Sequence, residues 1–216
     1  MNLTYILEII GTVAFAFVGA QIAIDLGLDF LGIYVAGLST AVGGGMIRDL
    51  LLGNTPPMMF RNPSYCLWGF ATVTLLILLY KWLSGSRFYD RLMKTIVIAD
   101  AVGLGIFTVV GMDTSIKCGF MENGFLTVFV GVLTGVGGGL LRDTMINRTP
   151  TVLSKEIYAT ASIMGGVAYY FMLSILPKTA ATLIAMVIII GVRLFAVRKN
   201  LNLPYVMSNG EIHMKM

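Results

Sequence analysis

Two short runs of residues combine glycine with charge in a way that suits ion chemistry. Gly43, Gly44 and Gly45 are followed three residues later by Arg48 and Asp49, and Gly137, Gly138 and Gly139 are followed at the same spacing by Arg142 and Asp143. Consecutive glycines remove side-chain bulk and permit φ values that other residues resist. Within a membrane helix, a break at such a triplet frees backbone carbonyls, which must then be buried in protein or wetted. Carbonyls facing a wet cavity can replace the water around a cation. Small residues also let membrane helices approach closely, so the triplets suit packing as well. A break or kink at both triplets is the expectation, and packing is compatible with it.

The charges sharpen the problem. A charged side chain at the centre of a membrane helix costs at least about 2.5 kcal/mol on insertion scales, so it pairs or faces water. Neighbours in a helix stand about 100° apart, which leads us to expect that Arg48, Asp49, Arg142 and Asp143 pair across the interface between the two motifs rather than with each other. They could line or gate an ion path, or form a structural clasp at the helix end. Thr40 and Thr134, about one turn before the triplets, offer hydroxyl oxygens to such a path, although threonine also bonds back to its own helix. Glu8 and Asp100 are a further matched pair of intramembrane acids, open to a role in transport or in structure. Lys155, followed by Glu156, is either an interfacial pair or a cationic constriction.

No catalytic constellation accompanies these groups. The single histidine, His213, lies near the chain end, Cys66 and Cys118 fit neither a metal cluster nor a disulfide framework, and no phosphate-binding glycine loop joins a strand to a helix. An enzyme is not expected, nor a cofactor, nor a bound metal beyond passing monovalent cations.

The elements that carry these residues are membrane helices. Of the 216 residues 57% are hydrophobic and only 12% charged, with a mean hydropathy of +0.86. A bilayer needs about 20 apolar residues per helix, and the sequence predicts seven such helices, over 3–24, 29–52, 63–83, 92–112, 122–146, 154–176 and 179–198. Residues 1–24 read as a retained first helix, because no basic segment precedes them and Glu8 lies inside. The polar residues from Asn200 onward predict an irregular tail. The net charge of +4 sits in short clusters between apolar runs, where it serves orientation and not nucleic-acid binding. Lys81, Arg87, Arg91, Lys94, Arg148, Lys155, Arg198, Lys199 and Lys215 fall at one face, against Arg61, Lys117 and Lys178 at the other. This places the N-terminus outside and the C-terminus in the cytoplasm.

The two motifs belong to an internal repeat. Gly37 to Asp49, followed by Pro56, matches Gly131 to Asp143, followed by Pro150, at an offset of 94 residues. Upstream, Glu8, Gly11, Phe15 and Gly19 align with Asp100, Gly103, Phe107 and Gly111 at an offset of 92. Each unit holds three helices, so the second enters the membrane from the opposite face. The expected all-α membrane protein thus divides into a first repeat over 1–86, an inverted second repeat over 87–178, a seventh helix over 179–199 and a cytoplasmic tail over 200–216.

The twin glycine motifs on the second and fifth helices of an inverted repeat, with a seventh helix beyond it, resemble the prokaryotic members of the trimeric intracellular cation (TRIC) channel family, the bacterial group also described as a glycine transporter domain. The resemblance covers about residues 5–198. It implies a homotrimer in a cell inner membrane, each subunit with its own pore for potassium and, less selectively, sodium. It further implies that the second and fifth helices kink at Gly43 to Gly45 and Gly137 to Gly139, that Asp143 joins a gating hydrogen-bond network, and that Lys155 is the basic residue opening the sixth helix. The lipid-binding basic cluster of animal members is thin here. A secondary transporter of a small zwitterion such as glycine fits the inverted repeat equally well, with Glu8 or Asp100 holding the amine. A regulatory subunit without a path, its glycines packed dry, is the third alternative.

Overall fold

Local turn chemistry sets the helix ends in the computed structural model, which describes residues 3–82, 86–154, 157–199 and 201 together with 205–206 and 212–213. Helix α1 (Leu3–Asp25) ends at Gly27, whose φ of +69° lies where a side chain is strained. Helix α2 (Phe30–Leu51) begins where the Asp29 side chain accepts the Gly32 amide at 2.7 Å. A short turn of helix, α3 (Met58–Arg61), leads into α4 (Ser64–Trp82). Helix α5 (Ser86–Lys117) is followed by α6 (Gly124–Met145), which the Asn123 side chain caps by accepting the Leu126 amide at 3.0 Å. A second short turn, α7 (Thr151–Ser154), precedes α8 (Ala159–Met172) and then α9 (Lys178–Arg198).

The ends of α2 and α6 are built alike. Gly53 and Asn147, one motif offset apart, both take positive φ, at +67° and +53°. Just beyond them the Asn54 amide donates to the Asp49 carbonyl and the Arg148 amide to the Asp143 carbonyl, each at 2.8 Å. Glycine and asparagine are the residues that tolerate this left-handed position past a helix end.

Among the described residues, six helices are long and apolar enough to cross a membrane: α1, α2, α4, residues Thr95–Lys117 of α5, α6 and α9. The expected seventh span, over 154–176, is shorter. Helix α8 has 14 residues, about 21 Å at 1.5 Å per residue, and falls short of the roughly 30 Å hydrocarbon core. A turn at 157–158 delays its start, and further turns ahead of Pro177 end it early. Where an irregular tail was expected, Tyr205 and Val206 pair antiparallel with His213 and Ile212.

The glycine triplets do not interrupt their helices. Both α2 and α6 run unbroken through them, contrary to the expected break, because the glycines meet an opposing backbone. A Cβ on Gly44 would collide with the Thr134 carbonyl, and one on Gly138 with the Thr40 carbonyl. Gly43 and Gly137 face Leu141 and Ile47 of the opposite helix, while Gly45 and Gly139 leave room for the guanidinium of their own Arg48 and Arg142. Thr40 is also covered by Gly19 of α1, and Thr134 by Gly111 of α5. On either side of this crossing, one apolar core joins α1, α2 and α4 through Ala16, Ala20, Ala36 and Val73, and another joins α5, α6, α8 and α9 through Leu104, Val136, Tyr169 and Ile189.

Gly44→Ala and Gly138→Ala are each expected to destabilise the protein by about 1–3 kcal/mol, the usual range for overpacking. Gly191→Ala, whose Cβ meets nothing within 4 Å, is expected to leave stability unchanged or slightly raised. Thermal unfolding in detergent, followed by monodispersity on size exclusion, checks the contrast.

Candidate functional site

Continuity of α2 and α6 past the triplets carries Arg48 and Asp49 to one end of the crossing and Arg142 and Asp143 to the other. All four are buried, at 5%, 1%, 3% and 0% exposure, so each charge needs a partner. Adjacent residues supply it. Arg48 Nε donates to Asp49 Oδ1 at 2.8 Å, while Arg142 Nε donates to Asp143 Oδ1 at 2.9 Å and its Nη2 stands 2.8 Å from the same oxygen. This corrects the expectation that the charges pair across the two motifs. The 100° between neighbours separates their Cα–Cβ directions, but the long arginine side chain curls around the helix to reach its neighbour.

The second oxygen of each aspartate ties down the chain that follows. Asp49 Oδ2 accepts the Met58 amide at 2.7 Å, and Asp143 Oδ2 accepts the Thr151 amide at 2.9 Å and the Thr151 hydroxyl at 3.1 Å. Helix end, arginine and the following short turn are thereby joined at one carboxylate, twice. Charge-assisted bonds of this kind are about twice as strong as neutral ones.

Glu8 and Asp100 enter these clusters from α1 and α5. Glu8 Oε1 lies 3.9 Å from Arg48 Nη1, and Glu8 Oε2 accepts the Tyr65 hydroxyl at 2.5 Å. Asp100 Oδ1 accepts the Tyr158 hydroxyl at 3.0 Å, but its cationic partner is Arg193 of α9, whose Nη2 stands 3.9 Å from Oδ2. The Arg193 guanidinium also lies over the Tyr158 ring, 4.8 Å from its centroid, a cation–π contact. A third carboxylate, Asp113, accepts the Tyr169 hydroxyl at 2.6 Å and pairs with Lys178 Nζ at 2.8 Å.

Thr40 and Thr134 sit at the crossing and bond back to their own helices, donating to the Ala36 and Val130 carbonyls at 2.6 Å. As donors they keep their lone pairs. Beside the first cluster, a cavity of about 40 Å³ is lined by Glu8, Thr12, Gly45, Arg48, Asp49 and Tyr65 among others, room for one or two water molecules. A wider pocket of about 310 Å³ reaches Glu8, Arg48 and Tyr65 from the side of Thr4, Asn62 and Lys117. Lys155 lies outside the described residues.

Tyr65, Tyr158 and Arg193 were not anticipated from sequence. The tyrosines follow their acids by 57 and 58 residues, and extending the repeat with a one-residue slip aligns them. Arg193 carried a weaker signal, a lone cation inside an otherwise apolar helix.

A bundle of apolar helices with buried carboxylate–guanidinium clusters at both ends of a glycine-lined crossing defines a polytopic α-helical membrane protein with a polar interior. The family described as "Glycine transporter" matches residues 5–81 and 97–174. The chain is 38% identical over 207 residues to the UPF0126 inner membrane protein YadS of Escherichia coli K12, covering 94% of this chain and 95% of that one. Among solved structures, one reported for conductance through TRIC cation channels superposes with a TM-score of 0.83 at 35% identity, covering 95% of this chain and 98% of the other. The trimeric intracellular cation channel orthologue of Rhodobacter sphaeroides gives 0.82 at 29% identity, over 93% and 100%. The chain belongs to the TRIC/UPF0126 family.

Removing one partner of a buried ion pair costs about 3–5 kcal/mol, whereas replacing both by apolar residues is often near neutral. Asp49→Leu is therefore expected to destabilise by about 3 kcal/mol, and Arg48→Met combined with Asp49→Leu to recover most of that loss. Thermal unfolding of both variants in one detergent checks the recovery.

Proposed function

We propose that this protein is a passive channel for monovalent cations, potassium foremost and sodium less selectively, that acts without catalysis or cofactor. The observation that carries the reading is the likeness to a TRIC cation channel along nearly the whole chain, at 35% identity and a TM-score of 0.83. On this reading it works as a homotrimer in an inner membrane, with one ion path per subunit along the crossing of α2 and α6. The units over 1–86 and 87–178 are inverted copies. The N-terminus is outside and the tail cytoplasmic, in keeping with the basic residues that cluster at one face.

The geometry suggests how the path works. At Gly44 and Gly138 the two backbones leave no room for a methyl group, so ions pass only when α2 and α6 part or tilt there. Parting exposes the Thr40 and Thr134 carbonyls and hydroxyl lone pairs, oxygens able to take the place of ion hydration. The arginines oppose cation passage, and Asp49 and Asp143 hold them aside against the helix ends. Because Asp143 also grips Thr151, movement of α6 is coupled to the short turn ahead of α8.

The family description supports a second reading, a carrier for glycine, with the carboxylate of Glu8 or Asp100 facing the substrate amine. Purified protein reconstituted into planar bilayers in potassium chloride is expected to give resolved unitary currents. Asp143→Asn is expected to change open probability severalfold, with a smaller effect on unitary conductance; an unchanged open probability removes Asp143 from the gate. Saturable glycine counterflow in liposomes without unitary steps establishes the carrier instead.

A further inference from the structure

Among the described residues, the charged members of the two buried clusters match except for one. The first holds Glu8 and Asp49 against Arg48 alone, and among the described residues this leaves one net negative charge with the carboxylates ionised. The second holds, around Tyr158, Asp100 and Asp143 against Arg142 and Arg193, and among the described residues these charges cancel. Arg193 has no counterpart in the first cluster, because it comes from α9, beyond the duplicated motifs. Its side chain is 5% exposed. Its Nε has no hydrogen-bond partner among the described residues, and its contact with Asp100 is a loose one. A guanidinium so placed is poorly compensated for a purely structural tie, since burying a charge demands close, well-bonded partners. What it does supply is charge at one end of the crossing.

We propose that Arg193 makes the two ends of the ion path electrically unequal, so that each subunit passes cation current more readily when cations enter at the Glu8 end. The inference rests on the channel reading above. A net negative charge beside a pore mouth raises the local cation concentration, and at roughly 8 Å in a water-like dielectric one charge changes it about twofold. Lys117 and Arg148, exposed at the two rims, act through solvent and are screened over about 10 Å at 0.1 M salt. The buried groups are screened less, so the difference between the two clusters persists.

The test is the ratio of unitary currents at equal and opposite voltages in symmetric potassium chloride, for the wild type, Arg193→Gln, Asp100→Asn and the double variant. The wild type is expected to rectify about twofold. R193Q makes both clusters net negative and brings the ratio close to one. D100N makes the second cluster net positive and increases rectification. The double variant restores neutrality there and returns to the wild-type ratio. Because R193Q and D100N shift the ratio in opposite directions, one of them suffices if the other fails to assemble. An ohmic wild type, or a ratio unmoved in R193Q or in D100N, overturns the inference alone. A double variant that does not recover the wild-type ratio overturns it too, since deleting both charges returns the second cluster to the neutrality on which the ratio depends. A wild type without unitary currents overturns the channel reading and this inference together.

Discussion

The contact on which the rest depends is the approach of the α2 and α6 backbones at Gly44 and Gly138. Lipid tails are as apolar as leucine, so helices in a membrane gain nothing from leaving lipid and associate through close packing instead. Two glycines facing the carbonyls of Thr134 and Thr40 allow that packing. They also fix the rotation of both helices about their axes. Once the rotation is set, Thr40 and Thr134 must turn toward Gly19 of α1 and Gly111 of α5, and the arginine and aspartate that follow must fall beside Glu8 in one direction and beside Tyr158 in the other.

The charge clusters are consequences of this geometry and in turn constrain what lies beyond it. Arg48 and Arg142 occupy the last turns of their helices, where a cation complements the negative end of the helix dipole. Each aspartate then uses one oxygen for the arginine and the other for the chain re-entering the bundle. A buried ion pair adds little net stability, since desolvation offsets most of the attraction. Its effect here is positional: a helix end, a turn and the start of the next segment become one mechanical unit, built twice.

Much of this is legible in the amino-acid sequence. The ends of α1, α2, α6 and α9 lie within two residues of those expected from it, because apolar length and the turn residues from Asn54 to Pro57 and at Pro177 are local signals. The continuity of the helices through the triplets is not legible in the same way. Glycine in a helix costs about 1 kcal/mol relative to alanine and permits a break without requiring one, and the opposing backbone against which the unbroken helix packs is remote along the chain. The same limit explains Tyr65 and Tyr158, whose acids are distant in sequence. The Arg48–Asp49 and Arg142–Asp143 pairs escape for a different reason. Backbone angles describe where a side chain starts, and arginine is long enough to end elsewhere.

The departures from symmetry share one source. Helix α9 brings Lys178 to Asp113 and Arg193 to Asp100, two carboxylates thirteen residues apart on α5, and it packs Met186 and Ile190 against Gly105 and Ile189 against Gly165. In the first unit the residue aligned with Asp113 is Gln21, which is fully buried and donates to Asp25 and Tyr80. Among the described residues no lysine reaches Gln21, and a neutral amide serves there. A carboxylate serves at Asp113 because one reaches it. The carboxylate at Asp113 therefore follows from the lysine that α9 brings to it, whereas Asp100 and the aligned Glu8 are both acids and differ in their cationic partner, Arg193 of α9 for the one and Arg48 of α2 for the other.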